Sequence, residues 1–218
     1  MKDKIISAEE AARFVKDGDC VMIGGFMSIG TPEIMMDELV KQGKGNLHVI
    51  ANDSGSPGRG IGKLVSAGLV AKETVSHIGL NPETGAKMSS GEMEVTLVPQ
   101  GSLAEMIRAG GAGLGGVLTP TGLGTTVEDG KQKVTVQGKV YLLEEPLKAD
   151  VALIRGSIVD KAGNVYYNST TRNFNPLMAT AAELVIVAAE KIVEIGEIDP
   201  NYVMTPGIFV DYIVGGEV

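Results

Sequence analysis

The sequence predicts an α/β fold: an open, mainly parallel sheet with helices on both faces and an inserted β-hairpin. Three observations predict it. Short runs rich in aliphatic and β-branched residues, such as "CVMI" and "LVIVA", alternate with amphipathic segments along most of the chain. Those runs are apolar at consecutive positions, the pattern of strands covered on both faces. Between residues 131 and 146 the pattern changes to polar/apolar alternation about Gln137-Gly138, the mark of a hairpin.

Each element has its own local cause. Ser7-Ala8-Glu9-Glu10 fits a capping box that opens a helix to about Lys16, and Asp17-Gly18 ends it. Cys20 to Gly24 is the first strand. Thr31 as N-cap and Pro32 at the first helical position begin a helix reaching about Lys41. "NLHVIA" (46–51) is the second strand, "IGKLVSA" (61–67) a short helix and "ETVSHIG" (73–79) the third strand. "MEVTLVP" (93–99) is the fourth strand and "SLAEMIRAG" (102–110) the helix after it. Past the hairpin, "DVALIRG" (150–156) and "ELVIVAAE" (183–190) are buried strands, with "NPLMATAA" (175–182) as the helix between them. No Pro/Ser-rich linker, repeat or low-complexity tract interrupts the series, so one domain spanning 1–218 is expected.

Composition narrows the function. A chain of 218 residues can bury a real core. Its 30 glycines are about twice the usual share of roughly 7% and follow no collagen-like period, so they mark turns and close backbone approaches. A net charge of −8 argues against nucleic acid as a partner, which needs a basic face. The lone Cys20 rules out an internal disulfide and suits a reducing, cytoplasmic setting. Met1-Lys2-Asp3-Lys4 leads straight into an acidic segment without a signal-peptide core, and no apolar run approaches ~20 residues, so no membrane association is expected.

Two glycine motifs mislead. "GGAGLGG" (110–116) matches the dinucleotide fingerprint, but it follows a helical segment and Pro120 blocks a helix after it. Its glycines still require backbone to pass close to something, either a packing crossover or a ligand channel. "GIGKL" lacks the first glycine and the hydroxyl of a phosphate loop. His48 and His77 lie on apolar strand segments and suit core or edge positions, and with one Cys no spacing recommends a metal site.

The ends of the strands carry more. Gly24 and Gly25 close the first strand and can present backbone N–H groups to a ligand, while the helix from Thr31-Pro32 aims its positive end at the same crevice. The plainer alternative is a strand-to-helix turn. "NDSG" (52–55) and "PQGS" (99–102) end the second and fourth strands, so Asn52 and Gln100 face that crevice as amide donors, or else serve as turn and cap residues. Gln is no preferred cap, which favours a site.

These residues also carry a resemblance. "DGDCVMIGGFMSIGTP" (17–32) is similar, position by position, to the signature of the class I CoA-transferase α subunit. "TLVPQGSLAEMIRAGGAG" (96–113) resembles that family's second marker, and "TRNFNPLMATAA" (171–182) its C-terminal part. The likeness runs from residue 4 to about 214. "GLGGVLTPTGLGT" (113–125) suggests the two-subunit bacterial acetate/butyrate–acetoacetate branch.

The resemblance implies ping-pong transfer of CoA between an acyl-CoA and a short-chain carboxylate, with CoA as substrate and no permanently bound cofactor. In the family the nucleophilic glutamate belongs to a β subunit, in a Glu-Asn-Gly element that this sequence lacks; Glu128-Asp129-Gly130 reads as a turn. The chain is then half an enzyme, and αβ units are expected to oligomerise further. By similarity, Gln100 is the oxyanion-hole donor, and Gly24, Gly25 and Phe26, with Gly30 in the same signature, wall the acyl pocket. Asn52 positions substrate, and Gly110, Gly111 and Gly113 let the pantetheine pass. Two other classes stay open: a non-catalytic acyl-CoA or carboxylate binding module, and a sugar-phosphate isomerase, which needs its own general base. Met22, Met27, Met35 and Met36 are candidates for a partner face, with core packing the better use of Met22 and Met35.

Overall fold

A computed structural model describes residues 3–217. The element order is α1 (Ala8–Ala12), β1 (Cys20–Ile23), α2 (Glu33–Gln42), β2 (Leu47–Ile50), α3 (Gly62–Ser66), β3 (Val70–Val75), α4 (Pro82–Ser90), β4 (Glu94–Leu97) and α5 (Gln100–Gly111). Then come β5 (Val117–Thr119), β6 (Lys133–Val136), β7 (Lys139–Glu144), β8 (Ala149–Asp160), β9 (Val165–Tyr166), α6 (Asn175–Met178), β10 (Ala182–Val193) and β11 (Tyr212–Glu217).

One sheet dominates, with strand order β11-β10-β8-β1-β2-β3-β4; every pair along it is parallel, and β9 adds antiparallel to β8. The chain builds outward from β1 to β4, then returns to the other side of β1 with β8. That reversal makes β1/β8 the topological switch point, where an open α/β sheet leaves a crevice at its carboxyl ends. Helices cover both faces. Met35, Met36 and Leu39 of α2 join Leu64 of α3 on one side; Leu103 and Ile107 of α5 join Met178 of α6 on the other. Met22, Met35 and Met36 are fully buried, so of the four methionines weighed for a partner face only Met27, 51% exposed, is outside the core.

The hairpin is β6–β7, paired antiparallel around Gln137 and Gly138, whose φ of 50° and 78° suit a two-residue turn; β5 completes a separate three-stranded sheet. Among the described residues, no helix is long and apolar enough to cross a membrane.

Several boundaries differ from the sequence expectation. The Ser7–Glu10 capping box is present, yet α1 tightens after Ala12 because Arg13, Phe14 and Val15 donate to carbonyls three residues back. The α2 cap is Pro32 and not Thr31: the Thr31 side chain turns inward against Gly25 and Gly60, leaving no cap hydrogen bond. The third strand is Val70–Val75, starting three residues and ending four residues before the expected 73–79, because it pairs with Leu47–Ile50. α4, absent from the sequence expectation, is capped by the Asn81 side chain with Pro82 following.

Candidate active site

The site begins where β1 ends. Gly24 donates its N–H to Leu153 O at 3.0 Å, one more rung of the β1–β8 ladder, and Gly25 donates to Asn173 Oδ1 at 3.1 Å. Both N–H groups are therefore engaged within the chain, and the expectation that they face a ligand is corrected. The glycines serve a different need. A Cβ on Gly24 would lie 1.8 Å from Asn175 Oδ1, and one on Gly30 would lie 2.6 Å from Thr171 O. Asn175, fully buried, accepts from Arg155 N and donates to Gly30 O and Thr171 O. It locks the 171–175 segment onto the loop that follows β1.

Next comes a miniature hairpin. Phe26 and Ile29 exchange backbone hydrogen bonds of 3.0 and 2.9 Å, with Met27 and Ser28 in the turn at φ of 50° and 65°. Neither turn residue is glycine, so the backbone is held in a costly region. Phe26, Met27 and Ile29 project outward and, with Thr170 and Asn173, line a cleft of about 500 Å³.

β2 ends in Asn52-Asp53-Ser54, all three buried. Asn52 does not offer its amide to the crevice: Nδ2 donates to Asp53 Oδ2 at 2.7 Å. Below, Ser54 Oγ donates to Glu73 Oε2 at 2.5 Å, and the other Glu73 oxygen has no partner among the described residues. Burial pushes the Glu73 carboxyl up to about 7, against the pull of the Ser54 hydrogen bond and with a further push from Asp53. Sequence reasoning missed both acids. A glutamate in the middle of "VAKETV", at a position that strand alternation buries, was the available signal for Glu73.

Gln100 is placed differently. It is exposed, opens α5, and its side chain makes no hydrogen bond among the described residues. The first α5 N–H with a backbone acceptor is that of Leu103, which donates to Pro99 O, so the helix's amino end keeps its unpaired donors and positive dipole beside the Gln100 amide. The structure thus gathers Gln100, Asn52 and the Gly24–Gly30 loop at the carboxyl edge of one sheet.

Gly110, Gly111 and Gly113 do not join them. They lie at the far end of α5, about 16 Å along the helix from Gln100. A Cβ on Gly110 would meet Leu147 O at 1.8 Å, and one on Gly111 would meet Thr180 Oγ1 at 2.1 Å. Gly110 and Gly111 thus permit a packing crossover at the amino ends of β1, β8 and β10, whereas a Cβ on Gly113 would meet nothing within 4 Å; all three line a cavity of about 380 Å³ there. Cys20 is there too; burial, then the charges of Asp150 and Asp19, push its thiol up to about 11, so it is not a poised nucleophile. His48 is satisfied by Thr74 Oγ1 at 2.9 Å, and Glu128 ends a 3₁₀ turn and pairs with Lys133.

A family model described as coenzyme A transferase matches residues 5–216. The acetate CoA-transferase subunit alpha of Escherichia coli K12 is 52% identical over 214 residues, covering 98% of this chain and 97% of the relative. The acetoacetyl-CoA:acetate/butyrate CoA transferase alpha subunit of Clostridium acetobutylicum is 55% identical over 214 residues, covering 98% of each. Among solved structures, an acyl-CoA transferase from E. coli O157:H7, in a thioester complex with CoA, matches with a TM-score of 0.88 at 24% identity. That match covers 98% of this chain, which spans only 47% of the solved one. Glutaconate coenzyme A-transferase from Acidaminococcus fermentans gives 0.84 at 20% identity, covering 97% of this chain and 75% of that one. At such identities the two structures speak to the fold alone.

Proposed function

The chain belongs to the coenzyme A transferase family, and from that premise we propose that it is the α subunit of a two-subunit acetate/butyrate–acetoacetate transferase, working in the cytoplasm. A β subunit supplies the glutamate. Its carboxylate attacks the acyl-CoA thioester, the CoA thiolate leaves, and an acyl–glutamyl anhydride forms. The thiolate then attacks the glutamyl carbonyl of that anhydride, releasing the first carboxylate and leaving a glutamyl-CoA thioester. An acceptor carboxylate reverses both steps.

The observation that carries this division of labour is the state of the acids at the crevice. Asp53 and Glu73 are 4% and 0% exposed, and Asp53 already accepts three donors, so neither is free to attack. Gln100, by contrast, is exposed at a helix amino end, suited to stabilise the oxyanion that forms as either carbonyl is attacked. Binding energy from the remote CoA moiety then serves the reacting centre, which lets a weak carboxylate nucleophile work.

Co-purification with a β subunit and an acetoacetyl-CoA/carboxylate exchange assay test the proposal. The lone chain should be inactive and the pair active, and Gln100→Ala in the pair should lower kcat by roughly 10²–10³-fold without loss of the fold. Labelled thioester should tag β. A tag on a glutamate of this chain, or CoA transfer by this chain alone, would refute it.

A further inference from the structure

Resting on the reading above, we propose that Asp53 is a positioning residue of the transfer reaction, the tie that holds the Phe26–Ile29 hairpin and the Asn52 amide in one arrangement. Its carboxylate is buried and joins the hairpin to its own loop: Met27 N at 2.8 Å and Asn52 Nδ2 at 2.7 Å donate to Oδ2, and Gly55 N at 2.8 Å to Oδ1. Such charge-assisted bonds are stronger than neutral ones.

The Met27 bond matters because of the turn it enters. Two-residue turns with φ above zero at both positions favour Asn-Gly; here Met27 and Ser28 stand at 50° and 65°, so the Phe26–Ile29 pair, with Ile29 O also accepting from Asn173 Nδ2, closes a strained turn. The Met27 N–H points at Asp53 instead of solvent. Release of that bond lets the strained turn relax, moving Phe26 and Ile29, the walls of the cleft, relative to Asn52 and Gln100.

Asp53→Asn keeps the shape but turns one acceptor oxygen into an NH₂ group, so either Gly55 or the Met27–Asn52 pair loses its acceptor. In the αβ complex it should cut kcat by about 10–100-fold with KM within about 3-fold, as misplacement of a site's walls does. Adding Ser28→Gly, which relieves the turn without Asp53, should recover at least about 5-fold of that loss. An Asp53→Asn complex within about 2-fold of the wild-type kcat, or no recovery with Ser28→Gly, overturns the proposal. An inactive wild-type pair counts against the functional reading instead. Amide exchange in the wild-type α chain keeps the tie testable in that event, or if Asp53→Asn fails to fold. The Met27 amide should exchange at least about 10-fold more slowly than that of Ser28, which has no acceptor among the described residues, and equal rates overturn the tie.

Discussion

Replace Gly24 with alanine. Its φ does not lie in the left-handed region, so backbone conformation gives no reason for glycine; the reason is Asn175. An added Cβ lies 1.8 Å from Asn175 Oδ1 and 2.6 Å from Cγ, roughly half to two-thirds of the ~3.5–4.0 Å at which heavy atoms rest. Asn175 cannot simply yield. It is fully buried, with Oδ1 accepting from Arg155 N at 3.0 Å and Nδ2 donating to Gly30 O at 3.0 Å and Thr171 O at 2.8 Å. Moving it forfeits those bonds at about 1 kcal/mol each and adds about 1–3 kcal/mol of overpacking. The expected loss is about 4–6 kcal/mol, or on the order of 10–20 °C in Tm for a chain of this size.

Thermal unfolding followed by circular dichroism measures it, and Asn175→Ala closes a double-mutant cycle. With Asn175 truncated the clash vanishes, so Gly24→Ala should then cost little, a coupling above about 1 kcal/mol. A Tm drop under about 3 °C for Gly24→Ala, or additive penalties, would refute the packing account of this glycine.

Glu73 gives a pH prediction. Its folded value of about 7 lies above the ordinary 4.5, so the folded chain keeps a proton the unfolded chain releases. The stability it contributes is complete below about pH 4.5 and is lost as pH rises through 7, about 3 kcal/mol across the window. Glu73→Gln stays neutral and keeps a donor and an acceptor for Ser54, so it should match wild type near pH 5 and melt higher near pH 8; equal melting at both would show that no such proton is held. At the far end of α5, Gly111→Ala drives a Cβ to within 2.1 Å of Thr180 Oγ1. Tm should fall by roughly 5–10 °C. The KM of the αβ complex for acyl-CoA should not change if Gly111 serves packing alone, whereas a raised KM with an unchanged Tm would assign it to a pantetheine channel.

Much of the fold was legible because its signals are local. The Ser7–Glu10 box, the β-branched runs of β1, β2 and β10, and the Gln137-Gly138 turn each depend on residues a few positions apart. β9 and β11 were missed; β9 is only two residues long, and β11 pairs with β10 residues 26 positions away. Gln100 could be singled out because glutamine is a poor cap at a strand-to-helix junction. Asp53 gave no such sign, since any Asn-Asp-Ser-Gly run reads as a turn.

The sequence by itself determined the alternation of strand and helix, the family, and which strand ends carry polar residues. Only the tertiary structure decided which glycines serve packing and which amides are already taken. Asn175 and Gly30 stand 145 residues apart, yet one side chain ties them together; Gly24 and Gly30 leave room for the 171–175 segment, and Gly25 for the Thr31 side chain. A glycine's pattern in sequence records that something comes close; what comes close is fixed by the sheet's return to β1, which no local preference encodes.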